Sequence, residues 1–287
     1  MNAESGLARL IAEIEPVDEN AAAAARHRHD QLVKPPGSLG RLEELGAWLA
    51  SVAGSCPPPV PRQPAAVVCA GDHGVVAQGV SAWPPEVTAI MVGEFCADRA
   101  AVNALARTVG ASVSVLDVGV AAKLPRHPLL KASKVRQGTA DLTSEPAMSR
   151  EQAVRAVLAG IDLAEQLVAA GADLLVGGDM GIGNTTPAAC LIAAFTGRPA
   201  AEVVGPGAGG DAATVARKAE IVDAALRRHA PDPSDGIGVL ASVGGLEHAA
   251  LAGYVLGAAR SKVPLVLDGV STVAAALAAR ALCPTAL

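Results

Sequence analysis

The amino-acid sequence predicts an α/β protein with a doubly wound parallel sheet and a small helical domain, and three observations support this prediction. Short, continuously apolar runs alternate with longer Ala-rich runs over most of the chain. Strands that are apolar on both faces are typical of parallel sheets covered by helices on each side. The first fifty residues show helical spacing only, and a proline-rich connector at residues 56–61 separates them from the alternating part.

The N-terminal part is expected to contain three helices, because apolar residues recur every three to four positions in three stretches. These stretches are residues 3–14, 19–31 and 39–52. Consecutive prolines favour an extended chain, so we place a boundary at the connector. The prediction is a helical, small-domain segment over residues 1–60 and an α/β domain over residues 61–287.

The α/β domain is expected to alternate strands with helices. The predicted strands are residues 65–70, 112–118, 174–177, 237–241 and 264–267. The predicted helices are residues 85–109, 150–170, 186–196, 212–229, 245–260 and 271–282.

Composition excludes several classes of protein. The 287 residues carry 23 basic and 28 acidic side chains, a net charge of −5, and the basic ones are scattered, which argues against nucleic-acid binding. Apolar stretches are interrupted before 18 residues, and residues 1–15 lack the charge order of a secretory signal, so we expect a cytoplasmic protein without a membrane span. The five cysteines include no C-x-x-C pair, so we expect neither a disulfide framework nor a metal site.

The candidate site lies where the predicted strands end, because doubly wound sheets bind ligands beyond the carboxyl ends of their strands. Residues 177–187, GGDMGIGNTTP, follow one such strand. Glycines let an anion approach the backbone closely, and Thr186 before Pro187 suits a helix start, whose N–H groups and dipole attract negative charge. We predict a phosphate site here. A glycine-rich turn needed only for tight packing is the alternative.

Two further charged candidates each have an ordinary alternative. Lys218, on the predicted helix 212–229, supplies a point charge for the same phosphate or is simply solvated surface. His73 follows Asp72 after the first predicted strand and is a candidate acid or base. The alternative is that Asp72 and His73 only fix a loop by hydrogen bonding.

Other patterns indicate a heterocycle slot and argue against common nucleotide motifs. Ser81, Trp83 and Met91 fit a flat apolar slot for a heterocycle, although Met and Trp belong more often to the core. Residues 205–210 satisfy G-x-G-x-x-G, but Asp223, the acidic residue at about the required spacing, falls in a helical pattern, so we reject dinucleotide binding. No G-x-x-x-x-G-K-[ST] sequence occurs.

A resemblance to a known family rests on eight blocks that occur in order along nearly the whole chain. They are residues 34–43, 71–75, 79–81 with 86–88, 138–141 with 146–148, 180–187, 216–218, 244–247 and 266–269. With these blocks the chain resembles the nicotinate-nucleotide:dimethylbenzimidazole phosphoribosyltransferase family.

The resemblance implies a homodimeric enzyme of cobalamin assembly. Such an enzyme transfers the 5-phosphoribosyl group of nicotinate mononucleotide to 5,6-dimethylbenzimidazole and releases α-ribazole 5′-phosphate and nicotinate. No metal, cofactor, nucleic acid or membrane partner is implied. Adenine or phenolic acceptors stay open alternatives to the benzimidazole.

The resemblance also implies which residues form the site. Asp179 and Lys218 would be catalytic, and Gly181 and Gly183 would hold the phosphate with them. The other implied substrate-binding residues are Asp72, His73, Ser81, Met180, Asn184, Thr185, Asp268 and Ser271.

The sequence departs from the family pattern at the general base. The family has a glutamate in a C-terminal Gly-Glu-Gly block, which does not occur in this chain, and it has glutamate at Asp179, glutamine at Pro85 and Gly-Arg-Gly at residues 205–207. We therefore expect impaired activity, with Asp72, His73, Asp179 or solvent as the base. Two alternatives stay open: a paralogue that binds nicotinate mononucleotide or a benzimidazole as a regulatory protein, and a truncated gene product.

Overall fold

A five-stranded parallel sheet with helices on both faces forms the centre of the protein, as the sequence predicts. The computed structural model describes residues 3–287. The strands are β1 (Pro64–Gly71), β2 (Ser112–Gly119), β3 (Leu130–Ala132), β4 (Leu174–Met180) and β5 (Leu265–Leu267). Their order across the sheet is β3-β2-β1-β4-β5. The winding direction reverses between β1 and β4, so the carboxyl ends of these two strands flank the crevice where such sheets bind ligands.

Helices account for most of the remaining chain. They are α1 (Ala3–Ala12), α2 (Glu19–Gln31), α3 (Arg41–Ala53), α4 (Val87–Cys96), α5 (Ala101–Val109), α6 (Arg150–Ala169), α7 (Thr185–Thr196), α8 (Ala200–Val203), α9 (Ala212–His229), α10 (Gly236–Val243), α11 (Leu246–Arg260) and α12 (Gly269–Leu282). Short 3₁₀ turns cover Gly74–Gln78 and Pro284–Ala286. Over residues 3–287, none of the helices is both long enough and apolar enough to cross a lipid bilayer.

Side chains of β1 alternate between two cores, one on each face of the sheet. Val67 and Cys69 face the larger core, which includes α6, α11 and α12. Val68 and Ala70 face the smaller core, which includes α4. Both faces of the central strand are therefore buried, which explains why its sequence is continuously apolar.

Helix α11 lies between the sheet and α6 and has no solvent-exposed face over most of its length. All residues from Leu246 to Ala258 are buried. Glycines allow this close packing: a Cβ at Gly160 of α6 would lie 2.8 Å from the backbone nitrogen of Tyr254, and a Cβ at Gly257 would lie 2.7 Å from Cβ of Ala164. The first turn of α11 packs on the end of β1, where a Cβ at Gly71 would lie 3.6 Å from the backbone nitrogen of Glu247.

The N-terminal segment has two parts. Leu7 of α1 and the following Ile14 join the larger core. Helices α2 and α3 pack on each other through a separate core of alanines (Ala21, Ala25, Ala47 and Ala50). A cavity of about 540 Å³, lined in part by Trp48 and Leu265, lies between α3 and the body of the protein.

Three predicted elements differ from the structure. The predicted strand at residues 237–241 is wrong, because these residues lie in helix α10. The predicted helix at residues 85–109 is two helices, and the chain turns between them at Asp98, whose φ is +59°. The edge strand β3 was not predicted, because it has three residues and its central Lys131 is exposed. A short apolar run does not distinguish a buried strand from a buried helix, which explains the first error.

Candidate active site

A cavity of about 160 Å³ lies beyond the carboxyl ends of β1 and β4. Its walls come from residues 80–83, from the loop between β4 and α7, from the loop before α9, and from α9 itself. The structure brings together eight of the predicted site residues in this lining: Ser81, Trp83, Met180, Gly181, Gly183, Asn184, Thr185 and Lys218. The strand order alone places these segments at the position where a ligand is expected.

The glycine loop between β4 and α7 is packed so closely that side chains would not fit. A Cβ at Gly181 would collide with the carbonyl oxygen of Gly71 and lie 2.9 Å from Nε2 of His73. Gly183 has a φ of +85°, in the left-handed region that favours glycine. The backbone N–H of Ile182 donates to the Thr88 hydroxyl at 3.0 Å, which fixes the loop to α4. The loop therefore presents backbone and the start of α7 to the cavity.

Lys218 is a buried cation at the opposite wall. Its residue exposure is 3%, and its Nζ donates to the Thr185 hydroxyl at 3.0 Å. Burial lowers the pKa of this ammonium group. The ion pairs formed within residues 3–287 do not include Lys218, so its charge has no carboxylate partner in that range. The interpretation of Lys218 as solvated surface is therefore wrong, and an anion bound in the cavity would supply the missing counter-charge.

The third wall is partly apolar. Trp83 is 53% exposed, and its indole N–H donates to the carbonyl oxygen of Ala208 at 3.0 Å. This bond joins the segment 80–83 to the loop before α9. The Ser81 hydroxyl accepts from the backbone N–H of Trp83 at 3.1 Å, and Met180 also lines the cavity. Met91 does not line this cavity, because it packs in the smaller core.

Asp179 lies at the end of β4, next to the cavity lining. Its carboxylate accepts a short hydrogen bond from the Asn184 amide and also interacts with Ser271 at the first turn of α12. Burial raises the pKa of Asp179, and Glu247 adds to the rise, while His248 opposes it. The site thus contains a carboxyl group whose proton affinity is increased by its surroundings.

Directly beneath the glycine loop lies a buried ionic cluster (His73, Glu247 and His248), whose side chains are all 0% exposed. Oε1 of Glu247 is 3.1 Å from Nε2 of His73 and 2.8 Å from Nδ1 of His248. Burial alone would raise the pKa of Glu247, but the two imidazoles outweigh it and lower that pKa. Burial opposes protonation of His248, but Glu247 outweighs it and raises the pKa of this imidazole.

Sequence reasoning did not assign a functional role to Glu247 or His248. The available signal was an adjacent acid and histidine, directly after Gly244 and Gly245, at the start of an otherwise apolar helix. A charged pair in such a run points to burial with a specific partner. That the partner is His73, far away in sequence, is visible only in the folded chain.

The remaining predicted residues lie around the cavity rather than in its lining. Asp72 joins neighbouring loops, because its Oδ2 accepts from the backbone N–H of Ala121 at 2.7 Å. His73 supports Gly181 from below. Asp268 is exposed at the end of β5, and its contact with substrate stays a prediction.

Known proteins are similar in sequence to this chain over almost its whole length. A family model described as phosphoribosyltransferase matches residues 14–287. A nicotinate-nucleotide–dimethylbenzimidazole phosphoribosyltransferase from Salinispora tropica is 54% identical, over 98% of this chain and 81% of its own length. The chain belongs to this family. The resemblance that the motif blocks indicated is thereby confirmed.

Two further relatives agree with the assignment to the phosphoribosyltransferase family. The protein of the same name from Chloroflexus aggregans is 53% identical, over 98% of this chain and 79% of its own length. The crystal structure of CobT from Thermus thermophilus matches with a TM-score of 0.88 and 48% identity, over 92% of this chain and 79% of that one. These matches confirm the fold. They give no support to the expectation that the activity is impaired.

Proposed function

We propose that the chain transfers the 5-phosphoribosyl group of nicotinate mononucleotide to 5,6-dimethylbenzimidazole, giving α-ribazole 5′-phosphate and nicotinate for the lower ligand of cobalamin. The observation that carries the proposal is the convergence of three features in one cavity. They are a buried cation that pairs with no carboxylate within residues 3–287, a glycine loop at a helix start, and a wall containing Trp83 and Met180. The first two suit a phosphate, and the third suits a planar heterocycle.

The phosphate of the nucleotide is proposed to lie against Gly181 and Gly183, facing Lys218. The dipole of α7 favours an anion there, and the Lys218 ammonium group adds a charge-assisted hydrogen bond. The N–H groups of Asn184 and Thr186 already donate to the carbonyl oxygens of Gly181 and Gly183, which fixes the loop. Fixing the phosphate also fixes the ribose to which it is attached, so C1′ is oriented for attack. Ser271, with Asp268 beyond β5, is proposed to reach the ribose phosphate from the neighbouring strand end.

The chemical step exchanges one carbon–nitrogen bond for another. The bond between C1′ and the pyridinium nitrogen breaks, and its electron pair leaves with nicotinate. A nitrogen of the benzimidazole, lying between Ser81 and Met180, forms the new bond, and the N–H proton of the acceptor must be removed. Asp179 is proposed to take that proton. Burial raises its pKa, which brings the carboxylate closer to the range where a general base works best at neutral pH.

Two parts of the proposal concern the setting of the reaction. We propose that the chain acts as a homodimer, as the resemblance implies, and that it works in the cytoplasm. Size-exclusion chromatography with light scattering tests the dimer directly.

Product formation tests the proposed reaction. The purified protein is incubated with nicotinate mononucleotide and dimethylbenzimidazole, with adenine and a phenol as parallel acceptors, and α-ribazole phosphate is measured by chromatography. Asp179→Asn is expected to lower kcat about 10²- to 10⁴-fold, because the proton acceptor is lost, and Asp179→Glu is expected to retain activity. Asp173→Asn is the control, because Asp173 lies at the other end of β4 and binds the backbone of Arg62 and Gln63.

The same experiment separates the enzyme from a binding protein. If nicotinate mononucleotide raises the melting temperature but no product forms with any acceptor, the chain is a binding or regulatory member of the family. If neither effect is seen, the assignment of the cavity to this nucleotide is wrong.

A further inference from the structure

The buried ionic cluster of His73, Glu247 and His248 lies outside the cavity lining, and nothing in the proposed reaction requires it to touch substrate. It consists of one carboxylate between two imidazoles whose ring centroids are 6.1 Å apart. Its members come from two distant parts of the chain, the segment after β1 and the first turn of α11. The cluster therefore forms only when the ends of β1 and α11 are brought together.

Each imidazole of the cluster faces a part of the candidate site. The ring of His73 lies behind the phosphate loop, since a Cβ at Gly181 would be 2.9 Å from its Nε2. Asp179 lies beside the cluster, because it pairs with Cys69 across the sheet and the first turn of α11 packs on Gly71, two residues further along β1. In this position His248 and Asp179 each favour the charged form of the other. Glu247 lies at ion-pair distance from both rings, without hydrogen-bond geometry to either of them. The backbone beside it is also close, since a Cβ at Gly71 would lie 2.8 Å from its Oε2. The carboxylate thus connects the loop to the proposed base.

Folding alone gives little reason for an ion cluster at this position. The rest of the buried part of α11 consists of Ala, Leu, Val and Gly with Tyr254 and carries no charge, so an apolar residue would complete the same packing. Removing charges from water is costly, and buried ion pairs are often no more stabilising than apolar side chains of equal volume. A cluster of this kind is therefore better explained by what it does to neighbouring groups.

We propose that Glu247 and His248 are positioning residues for the phosphoribosyl transfer. Glu247 holds the rings of His73 and His248 in place. His73 supports the phosphate loop at Gly181, and His248 directs a positive charge toward Asp179. This inference rests on the proposed function, in which Asp179 accepts the proton of the base.

The effect on Asp179 has a definite sign. The titratable groups that interact within this region are Cys69 on β1, His73 after it, Asp179 on β4, and Glu247, His248 and Tyr254 on α11. Among the charged neighbours of Asp179, His248 has the larger influence and favours the carboxylate, whereas Glu247 favours the protonated form. Removing His248, alone or together with Glu247, therefore increases the proton affinity of Asp179.

The test is the pH profile of kcat/KM for α-ribazole phosphate formation, measured for the unaltered protein, His248→Gln and the double variant E247Q/H248Q. The acidic limb reports protonation of the base, and we expect it to move upward in both variants. The shift is expected to be larger in His248→Gln, because the double variant also removes the opposing influence of Glu247. The double variant removes the charges of Glu247 and His248 together, so neither is left buried without the other, and its fold is expected to be retained. Tyr254→Phe is the matched control, because it changes a buried side chain of α11 without changing any charge at neutral pH.

A purely structural role predicts a different result. The melting temperature and the overall rate would fall, but the acidic limb would stay where it is, and that outcome in folded variants overturns the inference. If the unaltered protein forms no product, the proposed function fails as well. If it forms product and the limb does not move, only the inference about the cluster fails.

Imidazole nitrogen NMR of the unaltered protein covers the case in which the variants do not fold. Protonation of His248 is expected to persist above pH 6.5, and the signals of His73 and His248 are expected to shift when nicotinate mononucleotide is added. A His248 signal that titrates near pH 6.5, with neither histidine signal responding to the nucleotide, would overturn the inference.

Discussion

Lys218 illustrates how burial changes the role of a single charge. The same lysine in a solvated helix would have no ligand preference, but here it is 3% exposed and bonded to Thr185 at the cavity wall. We expect Lys218→Met to raise the KM for nicotinate mononucleotide about 10- to 100-fold, because a charge-assisted hydrogen bond contributes about 1.5–3 kcal/mol. Steady-state kinetics with varied nucleotide measures this change.

The control for Lys218 is Lys262→Met. Lys262 is exposed and pairs with Glu15 at 2.7 Å, beside the other cavity. Its loss is expected to leave the KM for the nucleotide unchanged. Equal KM values for the Lys218→Met variant and the unaltered protein would show that the phosphate binds elsewhere.

Glu247 and His248 also make a testable contribution to stability. The pKa of Glu247 is lowered on folding from its usual 4.5, so its contribution is present above that value and is lost as the pH falls through the folded pKa. The pKa of His248 is raised on folding from 6.5, so its contribution is present below that value and is lost as the pH rises through the folded pKa. The pair contributes most between about pH 5 and 6.5.

We therefore expect the melting temperature of the unaltered protein, relative to that of E247Q/H248Q, to be highest between about pH 5 and 6.5. At lower and at higher pH this advantage of the unaltered protein is expected to be smaller. Differential scanning fluorimetry over a pH series measures it. A difference that does not vary with pH would mean that the pair is not ionised in the folded protein.

Among the secondary-structure elements, α6 and α11 form the closest helix pair, and glycine is what permits it. Gly160→Ala would place a Cβ against the backbone of Ala250 and 2.8 Å from the nitrogen of Tyr254. We expect a loss of about 1–3 kcal/mol or more in the free energy of unfolding, measured by urea titration, because backbone must move to accept the methyl group. Displacement of α11 would also disturb its first turn beneath the site.

The matched substitution is Gly93→Ala in α4. A Cβ there would have nothing within 4 Å, and the residue is exposed. Alanine is favoured over glycine in helix interiors, so this variant is expected to gain about 0.5–1 kcal/mol. If both substitutions had the same effect, the contact between α6 and α11 would not be as close as described.

The elements also show what sequence patterns determine. Helix α9 begins and ends where its apolar spacing predicts, because its polar face is solvated and its periodicity is clear. Helix α10 is apolar on nearly all sides, so its run of residues fits a strand equally well. The difference was decided by tertiary packing against α6, α9 and α12. The periodicity of apolar residues therefore predicts the secondary structure of half-exposed elements better than that of fully buried ones.

The candidate site also contains a part that local sequence patterns predict and a part that they do not. The residues from Met180 to Thr185 are contiguous, and their chemistry can be predicted from local rules for glycine loops and helix starts. Glu247 meets His73 only when α11 packs against β1, and no local sequence pattern predicts that contact. Its role became apparent from burial and distance.

At the scale of the whole molecule, stability is not evenly distributed. Within residues 3–287, helices α2 and α3 make their extensive contacts with each other, through a core of alanines. Alanine buries little apolar surface, and Leu42, Leu45 and Trp48 of α3 are exposed. Regions with few buried apolar contacts unfold at lower free energy than the core. The pair α2–α3 is therefore expected to open before the sheet does.

The two tryptophans make this order measurable, since Trp48 lies on α3 and Trp83 lies at the active-site cavity. In Trp83→Phe, the fluorescence of Trp48 reports on α3 alone. We expect the fluorescence change on heating to begin at a lower temperature than the loss of the helical circular-dichroism signal. In Trp48→Phe, the fluorescence of Trp83 is expected to follow the main transition and to shift upward with nicotinate mononucleotide, because a ligand stabilises the state that binds it. Coincident transitions in both variants would mean that α2 and α3 fold as one cooperative unit with the sheet.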